Sequence, residues 1–165
     1  MKPKDILLIK HKKEEEFLRT KTLPFDFSKF TKKEISEVIK KMREIMKRAN
    51  GVGLSANQVG IPYRFFVAQV PNMQGKQKFY AIFNPEISKV SKDETETVEE
   101  GCLSVPDTYG PTERAYRLVL SGQDKHGKKI KIKAWGLLAR VFQHEVDHLN
   151  GLLFIDKAEE THVIK

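Results

Sequence analysis

Cysteine is almost absent from this chain: Cys102 is the single thiol among 165 residues. One thiol cannot close an intramolecular disulfide, and no signal-peptide pattern is present, so the sequence reads as a protein of a reducing, cytoplasmic interior. No apolar run approaches the roughly twenty residues that cross a bilayer, which argues against a membrane partner. No low-complexity linker or internal repeat divides the chain, so residues 1–165 are expected to form a single domain around one core. A phosphate loop is also missing. Gly51-Val52-Gly53 has neither the Lys-Ser/Thr of a Walker sequence nor the three spaced glycines of a dinucleotide site. Glycines here better suit a place where backbone must be approached closely.

What is abundant is positive charge, and it is uneven. Residues 1–50 carry fifteen Lys/Arg against eight Asp/Glu, a net +7, whereas residues 51–165 carry fifteen against fourteen, a net +1. A basic N-terminal third can attract RNA or a ribosomal surface without reading any nucleic-acid sequence. Lysines interleaved with glutamates along a helix also make an ordinary solvated face.

The most informative segment is His144-Glu145-Val146-Asp147-His148. At about 100° per residue on a helix, His144 and His148 lie one turn apart on one side, with Glu145 at the edge of that arc. Two ring nitrogens can then bind one cation while a carboxylate reaches its water. The preceding run Trp135–Gln143 is largely apolar, Leu137, Val141, His144 and His148 fall on one stripe, and Asn150-Gly151 offers a left-handed stop. The helix is therefore expected to be wrapped by protein on most sides. Glu145 and Asp147 inside it need a partner or a metal to offset their burial.

A cation needs a third protein ligand. In the metzincin pattern that ligand is a histidine at position 154, but Phe154 stands there. A glutamate from a later helix is the other downstream option. Only seventeen residues follow His148, and Glu159 and Glu160 lie in a polar tail too short for a second packed helix. Upstream, Cys102 lies in Glu100-Gly101-Cys102-Leu103-Ser104. Taken alone it reads as a buried thiol. Beside HExxH it completes a thiolate and two-imidazole set suited to Fe(II), Zn(II), Co(II) or Ni(II), with a fourth position open for water.

Secondary structure is legible in several stretches. Thr31-Lys32-Lys33-Glu34 is a capping-box pattern, followed by Ile35, Val38, Ile39, Met42, Ile45 and Met46 at helical spacing and by an Asn50-Gly51 stop. Residues 64–70, 78–83, 116–121 and 129–134 are β-branched or aromatic runs, with turns at Asn72–Gly75 and Asp124–Gly127. These elements predict an α+β fold: antiparallel strands packed around a buried C-terminal helix carrying HExxH, with an N-terminal amphipathic helix.

Three segments in register, Gly51–Gly60, Glu100–Ser104 and Gln143–His148, resemble the signature of the peptide deformylases, and Asn84–Ile87 resembles that family's linking strand. The resemblance is close to continuous from about residue 35 to residue 156. Ser55 stands where the family often has alanine, and the first thirty residues lack the usual proline-containing lead. The resemblance implies a metallohydrolase that removes the formyl group from the N-terminal methionine of nascent peptides, with one divalent ion, Fe(II) by preference, on Cys102, His144 and His148. It implies Glu145 as general acid–base, Gln58 and the backbone N–H of Leu103 as holders of the formyl oxygen, and Gly53 as a hydrogen-bonding partner of the peptide backbone. Val141 and His144 are candidates for the floor of the methionine pocket, Arg114 for an anchor of Glu100, and Asp147 for an ion pair. Outside the resemblance, HExxH also fits a conventional metallopeptidase acting on unformylated peptides, and the basic third fits a noncatalytic ribosome-facing module that binds metal only structurally.

Overall fold

The computed structural model describes residues 1–164. In chain order the elements are α1 (Lys12–Leu18), α2 (Lys32–Arg48), β1 (Gly53–Ser55), β2 (Phe65–Pro71), β3 (Gln77–Ser88), β4 (Thr95–Cys102), β5 (Val105–Ala115), β6 (Arg117–Gln123), β7 (Lys129–Trp135), α3 (Gly136–Leu149) and β8 (His162–Val163). The fold is α+β with antiparallel strands, in one sheet of order β1-β2-β3-β6-β7 and another of order β4-β5-β8. No helix among the described residues is long and apolar enough to cross a membrane.

The helix α2 begins where the capping pattern places it. Thr31 Oγ1 accepts from the Glu34 backbone N–H at 3.1 Å, and Glu34 Oε2 accepts from the Thr31 N–H at 3.0 Å. Its apolar stripe, Ile35, Val38, Ile39, Met42 and Met46, is buried, so the helix is held by one face rather than by propensity. Asn50, at φ 56°, takes the left-handed position that ends it.

Strand β2 decides how the core is divided. Phe65 and Val67 face the cluster that contains the α2 stripe, while Phe66, Ala68 and Val70 face the cluster that contains Phe142 and Leu149 of α3. Alternate side chains point to opposite faces, so a strand covered on both sides reads as an unbroken apolar run. The five-stranded sheet thus lies between α2 and α3, and α3 in turn also contacts β5 of the small sheet.

Three features differ from the sequence reading. Strands β4 and β5 were outside the expected strand set. Five successive residues of β4, Thr95–Glu99, are exposed, and β5 contains Pro106 and Pro111, a composition that hides a strand. Residues 12–18 form a short helix within a segment that gave no helical signal. The start of α3 is also less enclosed than expected: Leu137 is 51% exposed and lines a cavity instead of packing into the core.

Candidate metal centre

The buried helix α3 presents His144 and His148 one turn apart, and their Nε2 atoms lie 3.2 Å from each other. Strand β4 ends at Cys102, where the register shifts and Leu103-Ser104 form a two-residue turn into β5. This turn sets Cys102 Sγ 3.2 Å from His148 Nε2. All three candidate ligand atoms lie within 4.8 Å of one another. Nitrogen and sulfur atoms around a tetrahedral divalent ion sit about 3.3–3.6 Å apart by bond-length geometry. The donor set and its spacing therefore fit such an ion, with an upstream thiol as the candidate third ligand.

Gln58 and Ser104 flank the sulfur. Gln58 lies in a 3₁₀ turn, Ala56–Val59, where its Oε1 accepts from the Ser55 N–H at 3.0 Å. Its Nε2 donates to Ser104 Oγ at 3.1 Å and faces Cys102 Sγ at 3.7 Å, while the Ser104 N–H donates to the same sulfur at 3.4 Å. The N-terminal segment braces both residues from behind: the Leu7 and Ile9 N–H groups donate to the carbonyls of Gln58 and Ser104. Asn57, also buried, donates from Nδ2 to the His148 carbonyl at 2.6 Å and so ties this turn to α3.

The imidazoles differ in environment. His144 Nδ1 meets Glu100 Oε1 at 2.7 Å. Burial opposes the charged ring, but the neighbouring Cys102 sulfur and Glu100 carboxylate outweigh it, and in the metal-free protein its pKa is pushed up to about 10. Burial, followed by repulsion from His144 and Arg114, holds His148 well below the usual histidine range. Its Nδ1 is buried without a protein partner.

Behind these rings lies an ionic network that the sequence shows only in part. Arg114 donates from Nε and Nη2 to the two oxygens of Glu100 at 3.0 and 2.7 Å, and from Nη1 to Asp147 Oδ2 at 2.6 Å. Lys157 reaches Asp147 at 2.9 Å. Arg140 adds a contact to Glu100 Oε2 at 2.7 Å and donates to the Thr112 and Glu96 carbonyls. Burial alone would raise the Glu100 pKa, yet His144 and then Arg114 hold it well below the usual carboxylate range. Arg140 was missed at the sequence level, although a signal existed. It stands four residues before His144 in an apolar helix, where an arginine needs a buried partner.

Glu145 is only 3% exposed. Its Oε2 accepts from Ser55 Oγ at 2.7 Å, while Oε1 lies against Gly53, where any Cβ would collide with it. Burial pushes its pKa up, with His144 and then Ser55 opposing. A cavity of about 610 Å³ opens onto Gly53, Gln58, Cys102, Leu103, His144 and Glu145, and has Val52, Tyr109, Leu137 and Val141 as apolar wall. Every residue singled out for the site from sequence is thus drawn to one place. An upstream thiol beside HExxH, in an antiparallel α+β frame, defines the class as metal-dependent hydrolases.

The comparisons narrow that class. A family model described as polypeptide deformylase matches residues 3–163, and the chain belongs to this family. It is 45% identical to a peptide deformylase of Halothermothrix orenii over 140 residues, covering 85% of this chain and 86% of that one. It is 41% identical to that of Syntrophomonas wolfei over 150 residues, 91% and 92% of the two chains. Among solved structures, the peptide deformylase of Thermotoga maritima aligns with a TM-score of 0.83 at 37% identity, over 97% of this chain and 100% of that one. A class I type b peptide deformylase of Acinetobacter baumannii with Met-Ala-Ser bound aligns with a TM-score of 0.84 at 30% identity, over 94% and 98%.

Proposed function

We propose that this chain, acting as one catalytic unit across residues 1–165, removes the formyl group from the N-terminal formyl-methionine of newly synthesised polypeptides in the cytoplasm. The observation that carries the proposal is the meeting of Cys102, His144 and His148 within 4.8 Å beside a cavity whose wall includes Cys102, His144 and Glu145, in a chain of the deformylase family.

Cys102, His144 and His148 would hold a divalent ion, Fe(II) in preference to Zn(II), Ni(II) or Co(II). When bound, such an ion supplies Lewis acidity that polarises the scissile carbonyl and acidifies water. Glu145 takes the proton of the attacking water on its carboxylate and delivers it to the departing amine. Burial suits it to both halves of that task, because a raised pKa brings acid and base forms closer together in energy. Gln58 Nε2, fixed beside the sulfur, and the Leu103 backbone N–H hold the formyl oxygen as negative charge develops on it. Gly53 hydrogen-bonds the peptide backbone, and the apolar wall at Val141 and Leu137 receives the methionine side chain.

Two observations favour this reading over a conventional HExxH peptidase: the sulfur that stands beside the two imidazoles comes from upstream, and Phe154 packs in the core where a downstream histidine would stand. A transient ribosome contact is part of the proposal. Lys32, Lys33, Lys40, Lys41 and Lys47 are exposed along α2, and a polyanion would meet them by salt-dependent attraction.

The deciding experiment gives oxygen-free protein, loaded with Fe(II), Ni(II) or Co(II), matched formylated and unformylated methionyl peptides. Release of formate from the first and no cleavage of the second supports the proposal. Cleavage of unformylated peptides, or no turnover by fully loaded protein, refutes it.

A further inference from the structure

Glu145 has an unusual attachment for a buried carboxylate: it has no cation of its own. Among the described residues no ion pair involves it, and Ser55 Oγ is the one side-chain donor within hydrogen-bond distance of its carboxylate. Ser55 is itself fully buried at the end of β1 and does not line the cavity. Its hydroxyl lies 2.7 Å from Oε2 and 2.9 Å from the Glu145 backbone carbonyl. Gly53, two residues earlier on the same strand, leaves the space that Oε1 fills.

A glutamate side chain has three rotatable bonds, and its freedom opposes any single catalytic pose. A hydroxyl on one oxygen and a bare Cα against the other remove most of that freedom. We infer that Ser55 is a positioning residue for the reaction: its hydroxyl holds Oε2 of Glu145 so that Oε1 stays over Gly53 at the cavity wall, where water and the formyl carbon meet. This rests on the reading of Glu145 as the proton-transferring group. Ser55 takes no proton from substrate and touches none of it. The inference concerns how this particular chain fixes its carboxylate.

The test is a double-mutant cycle on metal-loaded, full-length chain: wild type, Ser55→Ala, Glu145→Ala and the double variant. Each is measured for kcat and KM on a formyl-methionyl tripeptide, for bound metal per chain and for Tm. Ser55→Ala is expected to lower kcat about tenfold, the rate equivalent of one hydrogen bond to a charged group. KM and metal content should stay at wild-type values, and in the Glu145→Ala background the serine change should leave residual turnover unaltered. Wild-type kcat in Ser55→Ala, with Glu145→Ala inactive, overturns the inference alone. So does the same proportional loss in both backgrounds, or a loss that tracks departed metal. Wild-type turnover by Glu145→Ala overturns the assigned role of Glu145 itself, a result that cannot be mistaken for the others.

Discussion

Nδ1 of His144 and Oε1 of Glu100 lie 2.7 Å apart, and this contact joins the candidate ligand cluster to the buried network of Arg114, Arg140 and Asp147. A carboxylate on Nδ1 fixes the ring plane and keeps a proton on that nitrogen, so that Nε2 is the atom turned toward Cys102 and His148 and is the one that would meet a metal. The same carboxylate accepts three hydrogen bonds from two arginines. It therefore cannot turn away from the ring without breaking them.

Replacing that carboxylate while keeping its shape tests its hold on the ring. Glu100→Gln should lower metal affinity about 10- to 100-fold, the usual consequence of losing the group that orients a ligating histidine. Competition with a chelator, scored as metal retained per chain, measures this. Affinity equal to wild type would show that the ring is held by packing alone.

The same pair sets a pH dependence in the metal-free protein. Glu100 has a depressed pKa in the folded state, so its contribution is present above its ordinary value of 4.5 and is lost as pH falls through the lower folded value. His144 has a raised pKa, so its contribution is complete below 6.5 and is lost as pH rises through about 10. Considering this pair alone, stabilisation is greatest between those two ordinary values. Tm measured across pH should show declines on both sides that are shallower in Glu100→Gln. Because a ligating histidine must be neutral, metal binding at neutral pH should also release a proton from His144.

Arg114 is 2% exposed at its side chain and compensates two carboxylates at once. Arg114→Met preserves bulk but leaves Glu100 and Asp147 short of a buried cation, a change expected to cost about 3–5 kcal/mol. Arg114→Lys should recover only part of this, since an ammonium cannot reproduce the fork that meets both oxygens of Glu100. Urea unfolding of the three proteins orders them. A methionine variant as stable as wild type would show that Glu100 is already satisfied by Arg140 and His144.

The site was more legible in the sequence than the frame that carries it. His144, His148 and Glu145 are tied by helical spacing, and a period of this kind survives whatever surrounds it. Cys102 is forty-two residues away from His144, and nothing local links them. Its place was inferred from scarcity and from chemistry. Strands β4 and β5 deliver Cys102, yet an exposed, polar hairpin with two prolines has neither alternation nor an apolar run to mark it in the sequence. The ionic network was half visible: Asp147 and Glu100 are charges in need of partners, but that Arg140 and Arg114 both converge on Glu100 depends on β5 lying against α3. Ser55 could be seen only as an added hydroxyl, since its acceptor is ninety residues on.

Gly53 offers the strictest test of how the carboxylate is accommodated. A Cβ built on Gly53 would collide with Oε1 of Glu145 and stand 2.8 Å from its Cδ, a separation that real Cβ atoms do not tolerate. The strand cannot retreat easily, because Gly53 pairs with Ala68 in the sheet and Leu54 beside it is fully buried. The side chain of Glu145 must therefore yield, and to yield it must leave Ser55. Gly53→Ala should consequently lose turnover by about a hundredfold or more, the scale of a misplaced acid–base group. It should still bind metal, since the side chain that must move belongs to Glu145, which is not one of the three candidate ligands. Bound metal per chain and kcat, measured on the same preparation, separate this outcome from general damage. If Gly53→Ala turns over normally, Oε1 is free to move and the carboxylate is not clamped between strand and helix.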